Sequence, residues 1–219
     1  MTVVYQGEIE HRDSAGNRGR IGPGDVQWVT AASGVLHEEK HSTEFTRRGG
    51  VLEMAQLWVN LPARKKMTQP RYQELPSTSI PVFELPDRAG SVRVIAGKLF
   101  ETPGAARTMT PVILWDASFR GGAQAALPVS KEFNIAVFVR KGNLRVGDGP
   151  AVAAGQLAIL EQSGDSVALR ADEFCEFLVV GGEPIDEPMV ASGPFVMNSP
   201  EEIRQAIQDT RAGRLGRLD

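Results

Sequence analysis

Apolar and polar residues alternate along much of this chain, and glycine and proline interrupt the alternation. Thr-Val-Val-Tyr-Gln at 2–6 leads to Gly7, and Glu-Ile-Glu-His-Arg at 8–12 leads to the turn-forming residues Asp-Ser-Ala-Gly-Asn at 13–17. Val-Gln-Trp-Val-Thr at 26–30 follows a second turn. Because successive side chains of a strand point to opposite faces, this period of two predicts strands joined by tight turns.

The pattern continues into the second half of the chain. Further strands are predicted at 91–97, 112–115 and 134–139. Residues 52–61 have a composition that would suit a helix, but 56–60 alternates and Pro62 stops it, so we predict a strand there. The proline-rich stretch at 63–86 predicts a linker or a segment that wraps around the fold.

One helix is predicted, near the C-terminus. Ser199 is a favourable N-cap, Pro200 suits the first helical position, and Glu202 stands three residues after the cap. Apolar residues then recur at helical spacing, at Ile203, Ala206 and Ile207. We expect this helix to cover the flank of a β-structure.

Two segments share one order of strand, glycine, strand, turn and strand. The first begins at Gly7 and runs to about residue 29, and the second begins at Gly142 and ends at Leu160. Two copies of a single all-β unit are the simplest interpretation. The copies differ in chemistry, because nothing after Leu160 matches His37 and Glu39.

Composition excludes several classes of protein. A length of 219 residues allows one large domain or two small ones, and a net charge of −3 with a pI near 5.7 does not suit a nucleic-acid binder. No apolar stretch approaches the roughly 20 residues of a membrane span. Cys175 is the single cysteine, so we predict a buried, inert thiol and a cytoplasmic location.

The candidate chemistry is concentrated in Leu-His-Glu-Glu-Lys-His at 36–41. On a strand, His37, Glu39 and His41 point to the same face. Imidazoles and a carboxylate on one face are ligands of non-haem metal sites, although one strand alone rarely supplies enough of them. His11, the third histidine, lies close to the turn at 13–17 and is not counted as a ligand. An ordinary polar pair at a barrel mouth is the alternative interpretation of His37 and Glu39.

Four segments resemble the pirin family of bicupins. They are Gly-Pro-Gly-Asp-Val-Gln-Trp-Val-Thr-Ala-Ala-Ser-Gly-Val-Leu-His-Glu-Glu at 22–39, Gln-Leu-Trp-Val-Asn-Leu-Pro at 56–62, Gln-Pro-Arg-Tyr-Gln-Glu-Leu at 69–75, and Gly-Glu-Pro-Ile-Asp-Glu-Pro-Met-Val-Ala-Ser-Gly-Pro-Phe-Val-Met-Asn at 182–198. The resemblance implies an all-β fold of two jelly-roll cupin barrels in tandem with a C-terminal helix. It also implies one iron-type metal in the first barrel, and flavonol (quercetin 2,3-dioxygenase-type) oxygenase or transcriptional co-regulator activity.

In that family pattern three histidines and one glutamate hold the metal. His37 and Glu39 match the pattern's His-x-Glu segment, and Glu39 would be both a ligand and a candidate catalytic base. The pattern's His-x-His segment would precede Met1, so we expect an incomplete first barrel with a weakly bound divalent metal. His41 has no ligand role in the pattern. The second barrel has no histidine and is expected to carry no metal.

The predicted domains are an N-terminal cupin domain at 1–62, a connecting segment with strands at 63–111, a C-terminal cupin domain at 112–198, and a helix with tail at 199–219. Two functions follow from the resemblance. One is a metal-dependent flavonol oxygenase, impaired in this chain, with a small aromatic substrate. The other is a non-enzymatic bicupin module that binds a protein partner and uses metal structurally or as a redox sensor. Turnover of quercetin under oxygen distinguishes them.

Overall fold

A computed structural model describes residues 1–218 of the chain. Contacts divide the chain into two compact units. The N-terminal unit comprises Met1–Ser77 together with the segment from Ile185 onward, and the central unit comprises Thr78–Pro184. The cupin domain boundaries predicted from the sequence, at residues 62, 111 and 198, are a different division of the chain from these contact-based units. They stay a prediction.

The described chain is built mainly of short antiparallel strands. Up to Leu75 these are β1 (Thr2–Gln6), β2 (Ile9–Asp13), β3 (Arg18–Ile21), β4 (Val26–Thr30), β5 (His37–His41), β6 (Glu53–Gln56) and β7 (Arg71–Leu75), with helices α1 (Thr43–Arg48) and α2 (Ala63–Lys66). The central unit contains β8 (Val82–Glu84), β9 (Gly90–Ala96), β10 (Lys98–Leu99), β11 (Thr102–Pro103), β12 (Val112–Phe119), β13 (Gln124–Pro128), β14 (Asn134–Lys141), β15 (Asn143–Val146), β16 (Ala151–Ala153), β17 (Leu157–Ile159), β18 (Ser166–Ala171) and β19 (Cys175–Gly182). Near the C-terminus lie β20 (Val190–Ser192), β21 (Phe195–Met197) and α3 (Pro200–Arg211). The predicted all-β class with a C-terminal helix is confirmed.

The N-terminal unit contains a four-stranded sheet in the order β6-β1-β4-β7 and a three-stranded sheet in the order β3-β2-β5. Val4, Ile9 and Ile21 form a small buried apolar cluster from β1, β2 and β3, and Leu52 packs against it. The hairpin of β20 and β21 lies against α3.

The central unit contains a six-stranded sheet in the order β17-β14-β19-β12-β9-β8 and a four-stranded sheet in the order β13-β18-β15-β16. Trp115, Phe119 and Phe177 from the larger sheet join Leu144 and Leu169 from the smaller one in a single apolar core. This interior is filled by packed hydrocarbon, which is the main source of stability in a barrel of this size.

Cys175 begins β19 and is fully buried in that core. Burial, together with the charges of Glu173 and Glu176, raises the pKa of its thiol to about 11. Because the thiolate is the reactive form, the thiol is inert at neutral pH, as the sequence predicted.

The helix predicted at the C-terminus is confirmed with its capping box. The Ser199 hydroxyl accepts a hydrogen bond from the Glu202 backbone N–H at 3.2 Å, and the Glu202 carboxylate accepts one from the Ser199 backbone N–H at 3.0 Å. Ile203, on the inner side of this helix, is buried. Among residues 1–218, no helix has the length and apolar character needed to cross a membrane.

Two local predictions differ from the structure. The strand expected at 56–60 is wrong, because the ladder with β1 runs over Glu53–Gln56 and leaves Trp58 68 % exposed. The proline-rich stretch at 63–86 is more than a linker, since it contains β7, which pairs with β4 over five residues. Alternation in sequence does not by itself supply a pairing partner, and β7 has one where 56–60 does not.

Candidate metal site

The site is created by the pairing of β2 with β5. In the antiparallel register His11 stands opposite Glu39, and Asp13 stands opposite His37. Side chains of directly opposed residues lie on the same face of the sheet. The ladder therefore brings two imidazoles and a carboxylate together from strands that are distant in sequence.

Their donor atoms converge on one point. His11, His37 and Glu39 each offer one ligand atom, and these atoms lie within 4.8 Å of one another. Glu39 Oε1 is 4.0 Å from His11 Nδ1 and 3.8 Å from His37 Nδ1. The His11 side chain is completely buried, that of Glu39 is 13 % exposed, and that of His37 is 45 % exposed. The cluster is thus closed on the His11 side and open to solvent at His37.

Three uncharged donors hold the Glu39 carboxylate in place. The Gln56 side-chain amide donates to Oε2 at 2.7 Å, the Thr2 hydroxyl donates to the same oxygen at 3.4 Å, and the Gln27 amide donates to Oε1. Thr2 and Gln27 are fully buried. Because none of these donors carries a charge, the carboxylate is oriented while its negative charge stays available to a cation.

His11 is oriented by the carboxylate of Asp13, which lies 3.4 Å from Nε2. Burial alone would raise the pKa of Asp13, but hydrogen bonds from the Asn17 side chain and backbone, from His11 and from the Ala15 N–H hold that pKa below its ordinary value. A carboxylate beside Nε2 favours the tautomer with the proton on Nε2 and a lone pair on Nδ1. That Nδ1 atom is buried and has no hydrogen-bond partner among residues 1–218.

Tyr72 covers the other side of His11. The two rings are stacked, with centroids 4.9 Å apart and an interplanar angle of 18°. Burial, with the nearby charges of Glu74, Asp13 and Glu39, raises the pKa of the Tyr72 hydroxyl to about 12. The hydroxyl therefore stays protonated at neutral pH and can donate a hydrogen bond, but no described residue accepts one from it.

The residues fit a divalent transition metal. Metal–nitrogen and metal–oxygen bonds of about 2.0–2.2 Å place two ligand atoms of one ion up to roughly 4.4 Å apart. The distances from Glu39 Oε1 to His11 Nδ1 and to His37 Nδ1, 4.0 and 3.8 Å, fall within that span. The buried lone pair on His11 Nδ1 has no other use within the described chain. The orienting carboxylate of Asp13 is the outer partner that metal-bound histidines commonly have.

The structure separates the histidines that the sequence had grouped. His37 and Glu39 lie together, but His41 is exposed, and its ring packs edge-on against Phe45 at 5.5 Å. His11, which was left aside because of the nearby turn, lies inside β2 and takes the third position. The signal that could have found it is the alternation of Ile9, His11 and Asp13, which places all three on the inner face of a strand.

Comparison with known proteins agrees with the fold and the motifs. The sequence profile of the family Pirin matches residues 1–59, and the Pirin C-terminal cupin domain matches residues 114–216. The chain belongs to the pirin family. The Pseudomonas aeruginosa protein named "Putative quercetin 2,3-dioxygenase PA2418" is 52 % identical over 214 residues, covering 98 % of this chain and 74 % of its own length. Human pirin is 36 % identical over 224 residues, covering 98 % of this chain and 74 % of its own length.

Solved structures show the same architecture. A crystal structure of quercetin 2,3-dioxygenase from Acinetobacter baumannii superposes with a TM-score of 0.95 and 43 % identity, over 100 % of this chain and 76 % of that chain. The bacterial pirin YhhW of Escherichia coli, solved in complex with nickel(II), has a TM-score of 0.66 and 20 % identity over 84 % of this chain and 72 % of that chain. The second likeness bears on the fold alone.

Proposed function

We propose that this pirin is an oxygenase that binds a divalent transition metal, with iron as the expected ion, through His11, His37 and Glu39, and oxidises a flavonol-like substrate with dioxygen. The observation that carries the proposal is the convergence of the three donor groups on one face of the β2–β5 ladder. Two imidazoles and one carboxylate form the facial set typical of non-haem iron oxygenases, in which positions on the metal stay open. The names of the quercetin dioxygenase relatives support the same substrate class.

The residues around the site have different roles in the proposed reaction. A bound divalent metal supplies Lewis acidity toward the hydroxyl-ketone of a flavonol and open coordination positions. Thr2, Gln27 and Gln56 keep the Glu39 carboxylate aimed at the same point as the two imidazoles. The exposed side of His37 is the side from which a planar substrate can enter.

Glu39 is the carboxylate that a substrate hydroxyl can reach. Its side chain is 13 % exposed, whereas the Asp13 side chain is only 2 % exposed. Geometry decides the choice of a general base before acidity does. We therefore assign Glu39 the role of accepting the substrate's hydroxyl proton as well as that of ligand.

Two further polar atoms are available to the substrate. The Tyr72 hydroxyl is a buried donor without an acceptor, and Gln27 Oε1 is a buried acceptor without a donor, among residues 1–218. Buried polar groups without partners cost about 1–3 kcal/mol each, so they are expected to bind something when the site is filled. A flavonol offers both a carbonyl oxygen and hydroxyl hydrogens, which match this pair.

Oxygen consumption tests the proposal. Protein loaded with iron(II) or nickel(II) should consume dioxygen when quercetin is added, and His37→Ala should abolish both the metal and the activity. His41→Ala is the matched control, because His41 lies on the same strand but outside the cluster. It should keep metal content and rate within about twofold of the wild type.

The outcomes separate the two functions. A fully loaded wild-type protein that leaves quercetin unchanged would contradict the oxygenase and favour the metal-containing interaction module. The weak binding expected from His37 and Glu39 alone changes once His11 joins them as a third donor. Purified protein that takes up far less than one metal per chain would therefore contradict the three-donor site. His41→Ala losing as much metal as His37→Ala would contradict the assignment of ligands.

A further inference from the structure

Tyr72 reaches from one sheet of the N-terminal unit to the other. It lies on β7 and pairs with Val29 of β4 in the four-stranded sheet. Its ring lies flat against His11, which belongs to the three-stranded sheet of β3, β2 and β5. A contact that joins the two sheets at a candidate ligand fixes that ligand relative to both of them.

Gly19 provides the space that this contact requires. It lies on β3 directly opposite His11 in the ladder. A Cβ atom at Gly19 would overlap the Tyr72 hydroxyl oxygen, and the next nearest ring atom, Cζ, would be 3.2 Å away. Since Gly19 has no positive φ angle, its backbone accommodates alanine, and the main obstacle is the Tyr72 hydroxyl; the contact with Cζ requires a shift of only a few tenths of an ångström.

The His11 ring is held on two sides by different means. Asp13 faces Nε2 in the plane of the ring and selects the tautomer, while Tyr72 packs against the face of the ring. The ring turns about its Cβ–Cγ bond, and a single contact as long as 3.4 Å at Nε2 limits that rotation only weakly, whereas a ring stacked on its face blocks it sterically. Together the two contacts hold Nδ1 on the side of Glu39.

We propose that Tyr72, seated over Gly19, is a positioning residue that locks the His11 imidazole in the orientation that presents Nδ1 to the metal. The ring of Tyr72 performs this role. The hydroxyl takes no part in holding His11 and remains free to donate to a bound ligand. This inference rests on the metal site of the proposed function and assigns it two residues that are not ligands.

Four variants test this positioning role of Tyr72, which we call the His11 lock. Tyr72→Phe keeps the ring, and nickel(II) affinity should stay within about threefold of the wild type. Tyr72→Leu removes the ring, and Gly19→Ala displaces it, so each should weaken the affinity about 10-fold, the lower range expected for outer-shell partners. In the double variant Gly19→Ala/Tyr72→Phe the overlapping oxygen is gone, and the affinity should recover to within about threefold.

The readouts are competition with a chelator for nickel(II) and the visible ligand-field spectrum of the cobalt(II) form. The spectrum should be altered in Tyr72→Leu and Gly19→Ala and restored in the double variant. Circular dichroism and thermal unfolding of the metal-free proteins check that the fold is retained. Gly19→Ala with wild-type affinity, or a double variant no better than Gly19→Ala, would overturn the proposal.

A metal-free measurement keeps this inference distinct from the proposed function. The chain has three histidines, so their ring protons can be resolved by NMR. The His11 signals should show the ring-current shift of a stacked aromatic neighbour in the wild type and in Tyr72→Phe, and lose it in Tyr72→Leu. If the shift is present but no metal binds, the proposed function fails and the lock stands. If metal binds and the shift is absent, the lock fails alone.

Discussion

The strand pairs β2–β5 and β15–β18 share the same antiparallel register, but their inward-facing side chains differ in polarity. Each of β2 and β15 follows a glycine with positive φ, Gly7 at 81° and Gly142 at 74°. In the first pair His11 stands opposite Glu39, and in the second Val146 stands opposite Leu169. At these equivalent positions the inward side chains are thus polar in the N-terminal unit and apolar in the central unit.

The neighbouring positions follow the same rule. Where the first ladder pairs Ile9 with His41, the second pairs Leu144 with Ala171. Leu144 and Ala171 belong to the large core of the central unit. Two strand pairs with the same register can therefore form either a candidate binding site or part of an apolar core. The side chains at a few inward-facing positions determine which of the two is formed.

The largest expected effect comes from placing the first unit's chemistry in the second. Leu169→Glu puts a carboxylate at the position equivalent to Glu39, but inside a packed apolar core and without hydrogen-bond donors. Burying an unpaired charge should lower the free energy of unfolding by about 3–5 kcal/mol. Ala168→Glu, at the adjacent outward and exposed position, is the control and should change it by less than about 0.5 kcal/mol. Denaturant unfolding measures both, and equal effects would refute the contrast between the two interiors.

The reverse exchange should affect binding rather than folding. His11→Val copies Val146 into the first unit and removes the buried Nδ1 atom that has no partner in the described chain. We expect nickel(II) affinity to fall about 10- to 100-fold. The free energy of unfolding of the metal-free protein should change by less than about 1 kcal/mol, because the lost hydrogen bond to Asp13 is offset by removal of the unpartnered Nδ1. His41→Val, at an exposed position, should alter neither quantity. If His11→Val destabilises the metal-free protein strongly, the buried imidazole is structural.

The smallest expected effect concerns a buried carboxylate of the central unit. Burial raises the pKa of Asp116 above its ordinary value of 3.8, and the Arg93 guanidinium at 2.8 Å opposes the shift without cancelling it. The folded state then binds the proton more tightly than the unfolded state. The resulting penalty is absent below the ordinary pKa and fully present above the raised one, so it grows as pH rises through that interval.

Asp116→Asn removes this titration. The free energy of unfolding of the wild type relative to the variant should therefore fall as pH rises from about 3 toward neutrality. Asp148→Asn, the same replacement at an exposed position, is the control and should change the free energy of unfolding at neutral pH by less than about 0.5 kcal/mol. A wild-type advantage that increases with pH would show that the Arg93 pair outweighs burial.

The local pattern was sufficient for much of this protein. Alternation and glycine turns predicted an all-β chain, and the Ser-Pro-Glu-Glu sequence at 199–202 predicted its terminal helix with the correct cap. The placement of His37 and Glu39 on one face also followed directly, because the period of two is a property of a single strand. These inferences succeeded since each depends on neighbours within a few residues.

The tertiary structure alone determines which residues distant in sequence lie beside His37 and Glu39. His11 reaches Glu39 through the register of β2 with β5, and Tyr72 reaches His11 from the opposite sheet through a strand that the proline-rich sequence had concealed. The same holds for Gln27, whose amide meets Glu39 from β4. Strand register and sheet packing depend on contacts across the whole unit, so no local window of sequence contains them. The histidine that the sequence grouped by spacing, His41, was excluded for the same reason.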